Sequence, residues 1–429
     1  MKEFFNKKRS TKHEARSTIL PLIALTTITA AILIIFYCDL FYDFGLIAKE
    51  RIMTNPFLIF VATPFFFWVS AYLCRHFAVN ASGSNLRHIR MACEQLQRTP
   101  DSYEKISSFL GWRVILVNLC SSLISAFGGG SLGREGSSVQ ISAGIFAGFA
   151  DKFRKFSPKI SPNISLESWV FAGCGVGLAI AFNSPFAGLV YVMEKLYVAK
   201  WRNFIPNFVS AFFALIFIAI ILFKAETIFI LEPLDLILNW QIFYLFFLAI
   251  ICGIAAFYFL KICNFFYDKF SAIKSAKWHL VPVICGLVVA FVSFYGGVYS
   301  IGGGIKTVND ALANSGILLS STEVFGRIIS TILTFISGCA GGLVMPAIAI
   351  GASIGSIFTG LFSSLGIKIF ILGGMAAFLS PVLGMPLTAA VVILQSTAQP
   401  LIFLPLLLLL CFVSDFVKKI CLITPKPKK

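Results

Sequence analysis

Gly133-Arg134-Glu135-Gly136 sets a charged pair between two stretches without charge, Val114–Gly133 and Gly136–Ala150. In a chain that is 58% hydrophobic, this pair decides how the rest is read. A carboxylate at bilayer depth costs about 3 kcal/mol even on the lenient insertion scales, so an acid kept there marks an ion or proton path. Glycines flank the pair and continue upstream as Gly128-Gly129-Gly130. Glycine adopts the backbone angles that end a helix, and a helix restarted beyond the break aims its N-terminal amides at an anion. The motif points to anion transport.

Working outward, uncharged runs recur at Ser17–Cys38, Ile52–Cys74, Ser168–Met193, Asn203–Phe223, Leu236–Leu260 and Leu280–Ile305. Each is long enough to cross a bilayer as a helix, which takes roughly 20 apolar residues. Ile328–Ile367 and Ile369–Ser414 hold two or more helical segments each, parted by Gly and Pro rather than by polar loops. The fold class expected is an all-α polytopic membrane protein with tilted and discontinuous helices.

The excess of 35 Lys+Arg over 19 Asp+Glu lies mostly in short segments beside apolar runs, which argues for membrane topology and against nucleic-acid binding. Residues 1–16 form a basic segment and residues 416–429 a basic tail. The positive-inside bias puts both in the cytoplasm, along with the loops Asp151–Lys159, Glu194–Arg202 and Lys261–Lys277. Between the ends, residues 17–415 read as one transmembrane domain with approximate halves 17–200 and 201–415. The first apolar run is of span length and lacks a convincing cleavage site, so it reads as a transmembrane or tilted helix rather than a signal peptide. Eleven cysteines include no Cys-x-x-Cys, and four histidines show no metal-ligand spacing. Neither a metal nor a cofactor is expected.

The two halves echo each other. Ile141–Gly148 resembles Ala349–Gly355 in sharing Gly-x-x-x-Gly, a spacing that lets helices approach closely. Pro185–Glu194 matches Pro386–Gln395 in pattern, with Glu194 falling on Gln395. Nine residues before Gly144 stands Glu135, and nine before Gly351 stands Gly342, inside the glycine break Gly338–Pro346. A broken helix start thus recurs in each half, the pattern of transporters built from inverted repeats.

Several segments together resemble the CLC family of chloride channels and chloride/proton antiporters. Gly83-Ser84-Asn85-Leu86-Arg87 is similar to the family's Gly-Ser-Gly-Ile-Pro, without the second glycine and the proline. Gly133-Arg134-Glu135-Gly136-Ser137 resembles Gly-Lys/Arg-Glu-Gly-Pro, followed by Val139-Gln140 as in the family. Gly342-Leu343-Val344-Met345-Pro346 takes the place of Gly-x-Phe-x-Pro with valine for the aromatic, and Ala181-Phe182-Asn183-Ser184-Pro185 resembles Ala-Phe-Asn-Ala-Pro.

The resemblance implies that Glu135 gates the pore and carries the proton, occupying the outer anion position as a carboxylate and swinging away when protonated. It also implies anion-binding backbone amides at Gly133, Arg134, Gly136, Leu343 and Val344, with the Ser84 hydroxyl on the central anion. Dipoles and a hydroxyl hold an anion weakly enough to release it, whereas a Lys or Arg at the same point would hold it too long. Read without the family, Ser84 is a small packing residue or bonds back to its own helix. Arg134 adds positive potential or pairs with Glu135. A homodimer with one pore per subunit, seated in the plasma membrane, is implied as well.

Three departures bear on the proton. The inner glutamate of the antiporters falls on Lys195, while its neighbour Glu194 is kept. Lys195 could stay charged and block transfer, titrate after desolvation, or snorkel to the cytoplasm. Beyond Asp415 there is no tyrosine to close the central site, and Val344 removes the other aromatic constriction. A looser inner mouth predicts poor or absent proton coupling. Fluoride export by a divergent branch of the family is an alternative, against which the retained Ser84 argues. An intramembrane enzyme needs a paired acid–base or nucleophilic constellation, and the apolar runs contain no Asp to build one.

Overall fold

Broken helices, more than uninterrupted spans, build this protein. The computed structural model describes residues 2–99, 102–156, 165–196, 227–234, 242–313, 320–361 and 367–423. The apolar run Asn203–Phe223 and the end of the basic tail lie outside them. In order come α1 (Lys2–Thr54), α2 (Ile59–Phe77), α3 (Asn85–Arg98), α4 (Tyr103–Leu110), α5 (Trp112–Phe127), α6 (Glu135–Phe156), α7 (Leu166–Ala181) and α8 (Pro185–Leu196). They are followed by α9 (Ile242–Ser271), α10 (Leu280–Gly296), α11 (Ile305–Ala313), α12 (Ser321–Ile336), α13 (Val344–Leu361), α14 (Ile367–Leu383), α15 (Pro386–Ser396) and α16 (Leu404–Ile423).

Among the described residues, six helical stretches are long and apolar enough to cross a membrane, including Pro21–Thr54, Phe243–Ser271 and Leu401–Ile423. Their outer faces carry large exposed apolar side chains, such as Ile32 and Phe36 on α1 and Phe243 and Phe247 on α9. On a surface this apolar the natural solvent is lipid. The first apolar segment does not stop near Cys38; α1 continues through Lys49 to Thr54. The expected span Ser168–Met193 is also divided: α7 ends before Asn183, which adopts a left-handed φ of 47°, and α8 restarts at Pro185. Proline fits the first turn of a helix but lacks the N–H its interior needs, so the break falls where the sequence puts it.

The repeat is visible in the backbone itself. Glu135 and Val344, which open α6 and α13, stand 209 positions apart. Gly129 and Gly338, with φ of 84° and 88°, share that offset, as do Gly133 and Gly342, joined in an antiparallel bridge. This register differs by two from the one the glycine spacing gives, in which Glu135 meets Gly342. The reason is packing. On α13, Gly351 and Gly355 do face backbone of α14, at Gly374 and Phe370. In the first half the close approach of α6 and α7 comes instead from Gly173 and Gly177 on α7, against the backbone of Ser142 and Ser138. Gly144 packs on Leu110 and Ile115, so the two Gly-x-x-x-Gly spacings serve different contacts.

The second echo holds as read. α8 and α15 start 201 positions apart and lie against each other. Gln395 at the end of α15 accepts from the Ser184 hydroxyl and from the Ala187 amide at 3.1 Å, at the start of α8. Glu194 near the end of α8 accepts from the Leu387 and Thr388 amides at 3.1 and 2.8 Å, at the start of α15. Each helix thus caps the other's unpaired N-terminal amides.

Candidate anion site where helix starts meet

Glycine at three positions lets the two halves touch. The Gly133 amide donates to the Gly342 carbonyl at 2.8 Å, and the Gly342 amide returns a bond to Gly133 at 2.7 Å. A Cβ on Gly342 would lie 2.8 Å from the Gly136 nitrogen, and one on Gly136 would lie 3.0 Å from the Gly342 Cα. No side chain fits at either position without parting α6 from α13. The first turns of both helices, with their unpaired amides and partial positive charge, are therefore held together inside the protein.

Glu135 stands at that junction with its side chain fully buried. Its Oε2 occupies the space over Gly133 that a Cβ would need, beside Met345 and Pro346 of α13. The carboxyl lies near the amides of Glu135 and Met345, yet neither oxygen closes a hydrogen bond of good geometry. Arg134 does not pair with it within 4 Å; Nη1 donates instead to the Cys38 carbonyl at 2.7 Å, and Nε is buried without an acceptor.

Two cavities reach the first turns of α6 and α13, one at Glu135 and one at Gly136, named outer and inner after the orientation the family resemblance implies. The outer one, about 40 Å³, is lined by Arg134 and Glu135, by Met345, by Lys49 of α1 and by the glycine run that opens α11. The inner one, about 360 Å³, is lined by Ser84 and Asn85, by Gly136, and by Gly342, Leu343 and Val344. Between Glu135 and Gly136 on α6, and between Val344 and Met345 on α13, the lining changes from one cavity to the other. Ser84 is the N-cap of α3, and its side chain makes no capping bond and none back into its helix. The starts of α3, α6 and α13 thus converge on the inner cavity.

Lys195 also lines this cavity, with Arg87, Arg90 and Lys418. Glu194 does not, being spent on the cap of α15. Arg87 is paired with Asp268 at 3.1 Å and Lys418 with Asp415 at 3.3 Å. Phe335 of α12 brings an aromatic ring to the inner cavity that neither the Val344 position nor the C-terminal segment announces. It packs on Tyr267, whose hydroxyl is 2.9 Å from that of Ser82. Nothing in the sequence around Phe335 marks it, since only the packing of α12 against α13 and α9 brings it there.

A polytopic helical membrane protein, two repeats joined at facing helix starts with a carboxyl between them, is the class this fold and geometry define. A family model described as voltage gated chloride channel matches residues 66–419, and the chain belongs to that family. It is 28% identical over 374 residues to an H(+)/Cl(-) exchange transporter of Yersinia pseudotuberculosis, covering 84% of this chain and 74% of the relative. A relative of the same description from Vibrio campbellii is 27% identical over 355 residues, covering 80% and 72%. Among solved structures, a slow cyanobacterial Cl-/H+ antiporter superposes with a TM-score of 0.78 at 19% identity, covering 95% of each chain. A CLC-type fluoride/proton antiporter superposes at 0.75, again at 19% identity, covering 94% of this chain and 95% of the other.

Proposed function

We propose that this protein moves chloride, or a similarly small monovalent anion, across the membrane between its two cavities, with Glu135 as the gate. The observation that carries the reading is the Glu135 carboxyl lying unbonded between the starts of α6 and α13, where an anion would sit, with a cavity on either side. A charged oxygen there stands in for the transported ion. Protonation removes its claim on the helix dipoles, and an anion takes its place. Ser84 offers a hydroxyl to the central anion, and Gly133, Arg134, Gly136, Leu343 and Val344 offer amides.

Coupling to protons is loose in this reading, because a lysine stands at the inner position where an exchanger of the family carries an acid. The protein sits in the plasma membrane with both termini in the cytoplasm, the inner cavity opens to the same side, and two copies associate, each with its own pore. Purified protein in liposomes, loaded with chloride and challenged with radioactive chloride, is expected to take up label well above protein-free vesicles. Uptake equal to that of empty vesicles overturns the reading. Parallel efflux with fluoride distinguishes the fluoride alternative, in which fluoride leaves faster than chloride by an order of magnitude or more.

A further inference from the structure

Asn85 and Ser137 meet beside the inner cavity, and each departs from the motif its segment resembles: Asn85 stands in place of the second glycine, Ser137 in place of the proline. One departure adds a polar side chain, the other an N–H. Both residues are buried. Ser138 is the first residue of α6 whose amide bonds within the helix, to the Arg134 carbonyl at 2.9 Å. The Ser137 amide, one residue earlier, needs an acceptor from elsewhere.

The Asn85 carboxamide supplies it. The Ser137 amide and Asn118 Nδ2 can only donate and the Gly83 carbonyl can only accept, which fixes the orientation of the group. Its oxygen accepts from the Ser137 amide at 2.9 Å, from the Ser137 hydroxyl at 3.0 Å and from Asn118 Nδ2 at 3.2 Å, and its nitrogen donates to the Gly83 carbonyl at 2.9 Å. Asn85 and Gly136 line the inner cavity, and Ser137 does not. A Cβ on Gly136 would lie 3.6 Å from the Asn85 Cβ. The asparagine side chain therefore stands between the Ser137 amide and the cavity. The Ser84 loop has other means of keeping its shape: Gly83 holds a φ of 74° and packs on the Tyr267 ring, whose hydroxyl is 2.9 Å from that of Ser82. What Asn85 adds is an acceptor that withdraws one helix-start amide from the site.

We propose that Asn85 sets how tightly the inner site holds its anion, by acting as an internal stand-in for that ion on the Ser137 amide. An ion in the cavity then meets the Gly136 end of α6 with one N–H fewer, and each N–H given to an anion is a strong, charge-assisted bond that slows its release. The inference rests on the transport reading and extends it to a residue pair that touches the ion only through the amide it hides.

The test is a double-mutant cycle in the full-length protein, read by calorimetric titration with chloride and by chloride flux in liposomes. Asn85→Gly uncovers the Ser137 amide, so the Kd for chloride is expected to fall at least about fivefold and the maximal flux to fall with it. Adding Ser137→Pro removes the N–H and should return both to within about twofold of the wild-type values. Ser137→Pro alone sets a ring carbon against the Asn85 oxygen and should lower the apparent Tm, which Asn85→Gly then restores. Asn85→Asp serves if Asn85→Gly folds poorly: it keeps the acceptor but brings a negative charge to the cavity, and the Kd should rise at least about fivefold at low salt. A weaker chloride complex in Asn85→Gly, a Kd that Ser137→Pro does not restore, or an unchanged Kd in Asn85→Asp overturns the proposal and leaves the transport reading standing. Wild-type flux no greater than that of empty vesicles overturns both.

Discussion

At the residue scale the protein depends on side chains placed where they have no partner. Glu135 is buried beside amides with which neither oxygen closes a hydrogen bond of good geometry, and Ser84, at the N-cap position of α3, makes no side-chain capping bond. The motif around Glu135 was legible in the sequence because a charged pair between glycines in an apolar chain has few structural uses. Ser84 is singled out in the sequence only by the family resemblance, since a lone serine fits many packing roles, and the structure places it on the inner cavity. Removing the acid should therefore leave the path open: Glu135→Ala is expected to keep or raise chloride flux and to abolish its pH dependence, measured as uptake between about pH 4.5 and 7.5. A well-folded Glu135→Ala protein with no transport at all contradicts the gate. Lys195 lines the inner cavity along with Ser84, so its charge acts on anions entering from that side. Lys195→Met should raise the half-saturating internal chloride concentration several-fold at low ionic strength and much less at high salt, because an ammonium facing a wet cavity is screened. An effect that ignores salt would place the lysine outside the anion route.

At the element scale, caps and glycines matter more than hydropathy. Helices were readable from apolar runs, yet their ends were not: α1 runs on to Thr54 past five charged residues at Asp39, Asp43, Lys49, Glu50 and Arg51, and Ser168–Met193 breaks in two at Asn183. Hydropathy registers what a segment buries, whereas a helix end depends on who satisfies its amides, which is a tertiary fact. The pairing of Glu194 with Gln395 in the sequence pattern did foretell such a fact, although its meaning, a reciprocal cap, appears only when α8 and α15 are seen side by side. Glu194→Ala removes acceptors from the Leu387 and Thr388 amides and from the Thr388 hydroxyl. Losing a cap costs about 1–2 kcal/mol, so the apparent Tm of the detergent-solubilised protein should fall by a few degrees, and Gln395→Ala should do the same. Unchanged Tm in both variants would mean that the two caps contribute nothing.

At the scale of the whole molecule, the two halves meet through the Gly133–Gly342 bridge, and that contact sets the two cavities back to back with one carboxyl between them. The consequence for coupling follows from what lines the inner side. An exchanger that trades anions for protons at a fixed ratio needs a proton relay reaching Glu135 from within, and an inner constriction that keeps anions from slipping past. Here the inner cavity, about 360 Å³, is lined among the described residues by four cationic side chains and by no acid, and Glu194 is tied into a helix cap. Cations draw anions into such a space and oppose the entry of a proton. Phe335 lines this cavity, but it comes from α12 rather than from the Val344 position. Slippage is therefore expected. In liposomes under a chloride gradient, the reversal potential should lie near the chloride equilibrium potential and move little when a pH gradient is imposed. Substituting Lys195→Glu supplies an inner acid and should shift the reversal potential measurably toward proton coupling. A wild-type reversal potential that holds one fixed chloride/proton ratio across every imposed gradient would show that protons reach Glu135 by a route other than the inner cavity.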